Sequence, residues 1–455
     1  MQFIENRTYD ELRAGDSVTL ARHLRIHDVQ ALAALAGERL QNGAAAPARA
    51  DEALWGGALV VAAILGEWPG PGSVCRSQNL RFLAALPTEA PLQLFLRLRT
   101  KDDAAGEVLL DCRVSDAGGT ALVEGEVRVL APRQKQRRPR LAPADLPRHE
   151  PGAAYHDLLK ATHALPPLPT AVVHPCDELS LAGALEAARE NLILPLLVGP
   201  RAKLERVAQE ASLALDGAEI VDVPHSHAAA ARGTALVREG RAQALMKGSL
   251  HTDEFMAAVI DADAGLRTER RMSHVFALDV PTYPKPLFIT DAAINIAPDL
   301  VHKRDIAQNA IDLAHALGIA LPRVAVLSAV ETVNPKIPST LEAAALCKML
   351  DRGQITGAVI DGPLAFDNAI SRGAARSKAI ASPVAGEADI LLVPDLESGN
   401  MLAKQLIYLA GAEAAGIVLG ARVPIMLTSR SDGMLARLAS CALALLFAHR
   451  ARSGT

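Results

Sequence analysis

The sequence predicts two folds in one chain: an α+β unit at the N-terminus, in which an antiparallel sheet wraps one apolar helix, and a larger two-subdomain α/β unit built on a parallel sheet. Three observations carry this. Before residue 131, four strand-like runs separated by turn signals follow a stretch that is apolar on all sides. Residues 132–152 then lose all apolar periodicity. From residue 153 onward, short apolar runs alternate with longer helical stretches, the spacing that parallel crossovers need.

Composition narrows the function. At 455 residues the chain has room for two or three domains with large cores. A formal charge of −4 and 3% aromatic residues offer little to hold a nucleic-acid backbone or stack its bases. No uninterrupted apolar run reaches the length of a membrane span, and the opening MQFIENRTYDELRAGD is too polar for a signal peptide. The expectation is a cytoplasmic protein with no nucleic-acid or membrane partner. Cys75, Cys112, Cys176, Cys347 and Cys441 stand singly, without metal-ligand spacing. They read as small buried side chains, and no metal is expected.

In the first domain, His27–Ala36 reads as a short amphipathic helix stopped by Gly37, and Glu52–Gly66 as a helix enclosed by other elements. Strand-like runs follow at Val74–Leu83, Leu92–Thr100, Glu107–Val114 and Ala121–Leu130. A mostly buried helix in an antiparallel sheet describes a hot-dog fold. The segments NRTYDELRAGD, DVQALAALAG, LWGGALV and LRFLAALP resemble the MaoC-type enoyl-CoA hydratases. That family carries an Asp and a His in the loop after the first helix. Here Glu38 falls near the Asp position and Arg49 near the His position, in a shortened loop; His23 and His27 lie upstream. A guanidinium stays protonated and cannot serve as a base, so the resemblance implies a hydratase-like domain that does not hydrate. The domain is placed at 1–131, and the basic, Pro-rich stretch 132–152 reads as a solvated linker.

The second domain, 153–455, opens with a helix from Tyr155 to Thr162 and the strand Ala171–Val173. The helix Leu179–Arg189 and the strands Pro195–Val198, Glu219–Val223 and Ala244–Met246 continue the alternation. Polar residues recur at the strand ends, where ligands bind in open α/β sheets. After Ala244–Met246, Lys247, Gly248 and Ser249 could offer a cation, an amide and a hydroxyl to an anion, or could form an ordinary turn. Arg267, Arg270 and Arg271 crowd one loop, as a phosphate-binding wall or a solvated surface. Phe288–Asn295 starts a second βα series, and Val324–Ser328, Val359–Asp361 and Asp389–Val393 read as further strands. Gly399-Asn400 reads as a loop before a helix with apolar positions Met401, Leu402, Leu406 and Leu409. After the apolar run Val423–Leu427, Ser429 brings a hydroxyl, Arg430 a planar fork and Asp432 a carboxylate. Neither a Walker A nor a G-x-G-x-x-G stands in these turns.

The ordered segments HPCDELSLAGALEAA, LLVGP, MKGSLHTDEF, RMSHVF, TDAAINIAP, IDGPLAFDNAIS, PDLESGNMLAKQL and VPIMLTSRSDG resemble the phosphate acetyl/butyryltransferase family across residues 153–447. The resemblance implies reversible exchange of an acyl group between coenzyme A and phosphate, with acyl-CoA, phosphate and acyl phosphate as partners and no bound cofactor. It also implies that Arg430 holds the phosphate, Ser429 bonds the reacting groups and Asp432 is the local candidate base. Lys247, Ser249, Arg267, Arg271, Thr290, Asp291, Asn295, Asp367, Asn368 and Asn400 would contact the substrates. In the family's acetyl-specific branch the Asp falls several residues beyond the Ser-Arg pair, yet Gly433–Thr455 holds no Asp or Glu, and Asp432 could instead cap the last helix. Subdomain I is placed at about 153–280 and 425–455, subdomain II at about 281–424, in a homo-oligomer. The rivals are an active hydratase fused to the transferase, a non-catalytic acyl-CoA binder and a β-decarboxylating dehydrogenase. Acyl-chain length is not legible.

Overall fold

A computed structural model describes residues 3–23, 55–87, 90–139, 153–215, 218–428 and 432–453. The expected helix His27–Ala36 and the loop 37–51 lie outside these residues, as do Ser429 and Arg430. The chain divides into two compact units, Met1–Leu146 and Pro147–Thr455.

In the first unit, strands β2 (Ser17–His23), β3 (Val74–Phe82), β4 (Pro91–Asp102), β5 (Glu107–Asp116) and β6 (Ala121–Leu130) form one antiparallel sheet in the order β2-β4-β5-β6-β3. Period-two alternation turns Leu92, Leu94, Leu96 and Leu98 of β4, and Val108, Leu110, Cys112 and Val114 of β5, to one face. Val60, Ala63 and Ile64 of the helix Trp55–Gly66 complete the same core. Gly56 permits the close approach, since a Cβ there would lie 2.6 Å from a Val123 methyl. The expected enclosure of this helix is corrected: it is apolar all round, but only Gly56, Gly57, Val60, Ala63 and Ile64 are buried, while Ala58, Ala62 and Leu65 are exposed. The basic run after residue 131 begins with order: β7 (Arg137–Pro139) pairs antiparallel with β1 (Phe3–Glu5). The Arg137 guanidinium lies 4.0 Å from the Phe3 ring centre, and Lys135 pairs with Glu11 at 2.7 Å.

Among the described residues, the second unit carries eleven strands in one sheet. Five of them are β8 (Leu168–Val173), β9 (Ile193–Gly199), β10 (Glu219–Asp222), β11 (Ala244–Lys247) and β18 (Ile425–Met426), parallel to one another in the order β10-β9-β8-β11-β18. Across the sheet, β13 (Leu287–Thr290), β16 (Ile390–Leu392), β14 (Arg323–Leu327) and β15 (Val359–Leu364) form a second parallel set. The expectation of a parallel sheet is corrected between them. There β17 (Glu413–Leu419) runs antiparallel to β18, and β12 (Ser273–Asp279) antiparallel to both β17 and β13. The sheet is therefore mixed and unbroken, and its two parallel sets point in opposite directions.

One face of this sheet bears a continuous core. Val172, Met246, Met426, Ile417, Val275, Phe288, Leu392 and Val326 line it from end to end. Against it packs the helix Met434–Ser453, whose Cys441, Ala442, Leu443 and Ala444 are buried. This helix is long and apolar enough to cross a membrane by length and composition; here its apolar side is spent on the sheet. On the opposite face the core splits in two. One cluster joins Val173, Leu245, Ile425 and Leu427 to Leu236 and Phe255; the other joins Leu278, Ile289, Leu391 and Leu327 to Ala403. The seam between them falls over the antiparallel strands β17 and β12.

A second correction concerns Gly399-Asn400. The helix starts at Leu396, because the Asp395 carboxylate accepts the Ser398 amide at 2.8 Å as an N-cap. Both residues are therefore helical. Met401 and Leu409 are 65% and 79% exposed, and the helix buries Gly399 and Ala403 with Leu402 and Leu406 packed beside them.

Candidate functional site

The sequence-predicted residues gather into separate groups. The first sits at the carboxyl ends of β8, β11 and β18, which are adjacent and parallel. Gly248 donates its amide to Val173 O at 2.9 Å, and a Cβ on it would stand 2.5 Å from both Val173 O and His174 O. Only glycine lets the two chain ends meet so closely. Lys247, 4% exposed, lies with its Nζ 3.4 Å from Gly248 O. Ser249 is locked: its Oγ donates to His174 O at 3.0 Å and accepts the Cys176 amide at 3.1 Å. His174, in left-handed backbone with φ 54°, presents Nδ1 3.4 Å from the same hydroxyl. Burial, reinforced by the Lys203 charge, lowers the His174 pKa, so the ring stays neutral at neutral pH.

Thr428 follows β18 into this group. Its Oγ1 accepts the guanidinium of buried Arg437, from the last helix, at 3.0 Å. Gly183 makes room for that side chain, since a Cβ there would lie 2.8 Å from Arg437 Cδ. Ser429 and Arg430 directly follow Thr428 in sequence and lie outside the described residues; Asp432, half-buried, precedes the last helix. Sequence reasoning missed His174 and Arg437. For Arg437 a signal was available: a lone arginine within the apolar stretch MLARLASCALALLF needs a buried partner.

The second group stands where β13 ends and β12 begins. Asp291, 2% exposed, accepts at Oδ1 the amides of His274 (3.2 Å), Ala293 (3.0 Å) and Ile294 (3.1 Å). Its Oδ2 accepts the Asn295 amide at 3.0 Å and Asn295 Nδ2 at 2.5 Å. Burial raises the Asp291 pKa, and the donors around it oppose that shift. Thr290 Oγ1 donates to His274 O at 2.9 Å. The helix Leu396–Ala410 closes on this turn: Asn400 Nδ2 donates to Ala292 O at 3.1 Å, and a Cβ on Gly399 would meet Asp291 O at 2.8 Å.

The arginines of the expected basic wall part company. Arg267 turns its Nε to Ile260 O, Arg270 pairs with Asp312, and Arg271 gives its Nε to Asn295 Oδ1 at 2.6 Å. Asp367 and Asn368 form a third group at the start of the short helix Phe366–Ile370. There Asp367 lies 3.4 Å from Lys378 Nζ, and buried Asn368 reaches Glu331 at 3.4 Å. His274 lies over the seam itself, fully buried and edge-on to Phe276 at 4.4 Å, with Nδ1 unbonded among the described residues. Burial drives its pKa down to about 3.

One register row, Val172–Met246–Met426–Ile417–Val275–Thr290, crosses the middle of the sheet. From it Lys247 and Thr428 leave in one direction and Asp291 in the other. In the first group the Gly248 amide and the Ser249 hydroxyl, expected to meet an anion, are instead bonded to Val173 O and His174 O, which leaves Lys247 and the Thr428 hydroxyl as its polar groups. The second is a buried polar network whose one outward group is a guanidinium.

Comparisons agree on what this second unit is similar to. Residues 227–444 match the family described as Phosphate acetyl/butaryl transferase. A phosphate acetyltransferase of Rhizobium meliloti is 65% identical over 299 residues, 66% of this chain and 95% of that protein. A phosphate butyryltransferase of Clostridium beijerinckii is 41% identical over 296 residues, 65% of this chain and 98% of that protein. The crystal structure of a branched-chain phosphotransacylase from Enterococcus faecalis V583 superposes with a TM-score of 0.54 at 30% identity, covering 62% of this chain and 99% of that one.

Proposed function

The chain belongs to the phosphate acetyl/butaryl transferase family, and from that premise we propose that it exchanges a short acyl group reversibly between coenzyme A and inorganic phosphate. A phosphate oxygen attacks the thioester carbonyl, the C–S bond breaks, and the leaving sulfur takes up a proton as free CoA. The observation that carries this reading is the 65% identity to a phosphate acetyltransferase along 95% of that protein's length. The locked ends of β8 and β11 beside Thr428 support it, because such chemistry depends on preorganised donors around a developing oxyanion.

In this reading Arg430 holds the phosphate, Ser429 bonds the reacting groups and Asp432 serves as base. Lys247 brings its cation to the anion-binding end, where Ser249, its hydroxyl hydrogen given to His174 O, fixes the turn instead of meeting the anion, and Arg271 meets a substrate anion at the other. Thr290, Asp291, Asn295 and Asn400 support that end from below, while Asp367 and Asn368 border the second parallel set; Arg267 remains a peripheral cation. No resident cofactor is needed for any of these roles. The N-terminal unit is read as a hot-dog domain without its hydrating dyad, in a cytoplasmic homo-oligomer.

The test is release of free thiol from acetyl-, propionyl- and butyryl-CoA by the full chain, with and without phosphate. Phosphate-dependent release supports the reading. CoA affinity without turnover makes the chain a binding protein instead.

A further inference from the structure

Asn295 is the best-defined polar side chain of the second group. Its Nδ2 donates to Asp291 Oδ2 at 2.5 Å and to Met272 O at 2.8 Å, and these two acceptors fix which way the amide faces. The carbonyl oxygen must then point at Arg271, whose Nε it takes at 2.6 Å. The Arg271 backbone is pinned as well, by its amide to Asp305 Oδ2 at 2.9 Å and by Asn309 Nδ2 to its carbonyl at 2.9 Å. Asp291 anchors the assembly from a site that no substrate reaches, since its oxygens are occupied by five donors.

What this network delivers is a guanidinium with its orientation set, whose charge reaches Asp299, a carboxylate held low first by the His302 amide and more weakly by Arg271. Arg271 is exposed, and among the described residues no carboxylate pairs with it, whereas Arg270 is neutralised by Asp312. The bond at Nε uses the inner edge of the fork and leaves the terminal nitrogens for a bidentate partner, the geometry that suits a phosphoryl group.

We propose that Asp291 and Asn295 are positioning residues that hold Arg271 ready for a phosphoryl group of the substrates. The identity of that group rests on the acyltransferase reading: it belongs either to coenzyme A or to the phosphate cosubstrate.

The experiment is a double-mutant cycle on the full chain. KM and kcat for acetyl-CoA and for phosphate are measured in wild type, R271A, N295A and R271A/N295A. Calorimetric titration with CoA alone and with inorganic phosphate alone runs alongside. R271A should weaken one ligand by about tenfold or more; a change confined to CoA assigns the group to CoA, one confined to phosphate assigns it to the cosubstrate. N295A should raise KM for the same substrate with kcat within about twofold, and the double variant should be no worse than R271A. Additive losses, or an N295A effect on melting temperature alone, overturn the proposal. R271K covers the case in which N295A does not fold: lysine keeps the charge but has no Nε–H for Asn295, and wild-type binding of both ligands would overturn it equally. Wild type lacking turnover would remove the acyltransferase reading, while the titrations would still decide whether Asn295 acts through Arg271.

Discussion

Gly248→Ala tests the geometry on which the first group depends. The added methyl would sit 2.5 Å from the carbonyl oxygens of Val173 and His174. A carbon needs roughly 3.2 Å or more from an oxygen, so β11 must draw away from β8 by most of an ångström. Both obstacles are backbone atoms at the ends of paired strands, and neither can rotate aside. The strain, together with weakening of the Gly248 and Ser249 amide bonds to Val173 O and His174 O, should destabilise the second unit by about 3 kcal/mol. Lys247 and Ser249 move with the strand end, and a misplacement of this size is expected to lower turnover by about a hundredfold. The assays are chemical denaturation, read as midpoint and slope, and thiol release at saturating phosphate. A variant matching wild type in both would mean that the ends of β8 and β11 are not locked together, and the account of this group would fall with it.

Three other expectations follow from the same structure and sequence. Arg430→Lys keeps the charge but loses the fork, and should lower kcat/KM for phosphate by about a hundredfold with melting unchanged; values within about twofold of wild type would take Arg430 out of the site. His274, buried and neutral with its pKa lowered to about 3, gives stability that is complete above the unfolded value near 6.5 and falls by roughly 1.4 kcal/mol per pH unit below it, as the unfolded chain alone takes up the proton. His274→Leu should remove that part of the slope between about pH 6 and 4.5, and identical slopes would contradict the burial. The full chain should hydrate no crotonyl-CoA if, as the resemblance implies, Arg49 replaces the hydratase histidine; loss of the enoyl absorbance above a heat-inactivated control would reverse that reading.

Much of the architecture follows from local pattern alone. The alternating leucines of Leu92–Leu98 announce a strand with one buried face, whereas the all-apolar helix ending at Gly66, read as enclosed, keeps Ala58, Ala62 and Leu65 exposed. The short apolar runs after residue 168 announce parallel strands, with polar residues waiting at their ends. Lys247, Ser249 and the Asp291 turn could be placed at strand ends for this reason. Family resemblance then supplied chemistry that spacing could not.

The middle of the sheet could not be read in this way. Glu413–Leu419, EAAGIVL, opens with residues that favour a helix and follows one directly, yet it is a central strand because β18 and β12 bond it from both sides. Ser273–Asp279 is antiparallel for the same reason, and these two strands turn two parallel sets into one mixed sheet. The arginine loop shows the same limit at the level of side chains. Arg267, Arg270 and Arg271 look alike in sequence, but Ile260 O, Asp312 and Asn295 give them different tasks. Periodicity reports which side of a segment is apolar, because that depends on neighbours along the chain. Strand direction and the use of a charge depend on partners that only folding brings within bonding distance, and these the tertiary structure alone decided.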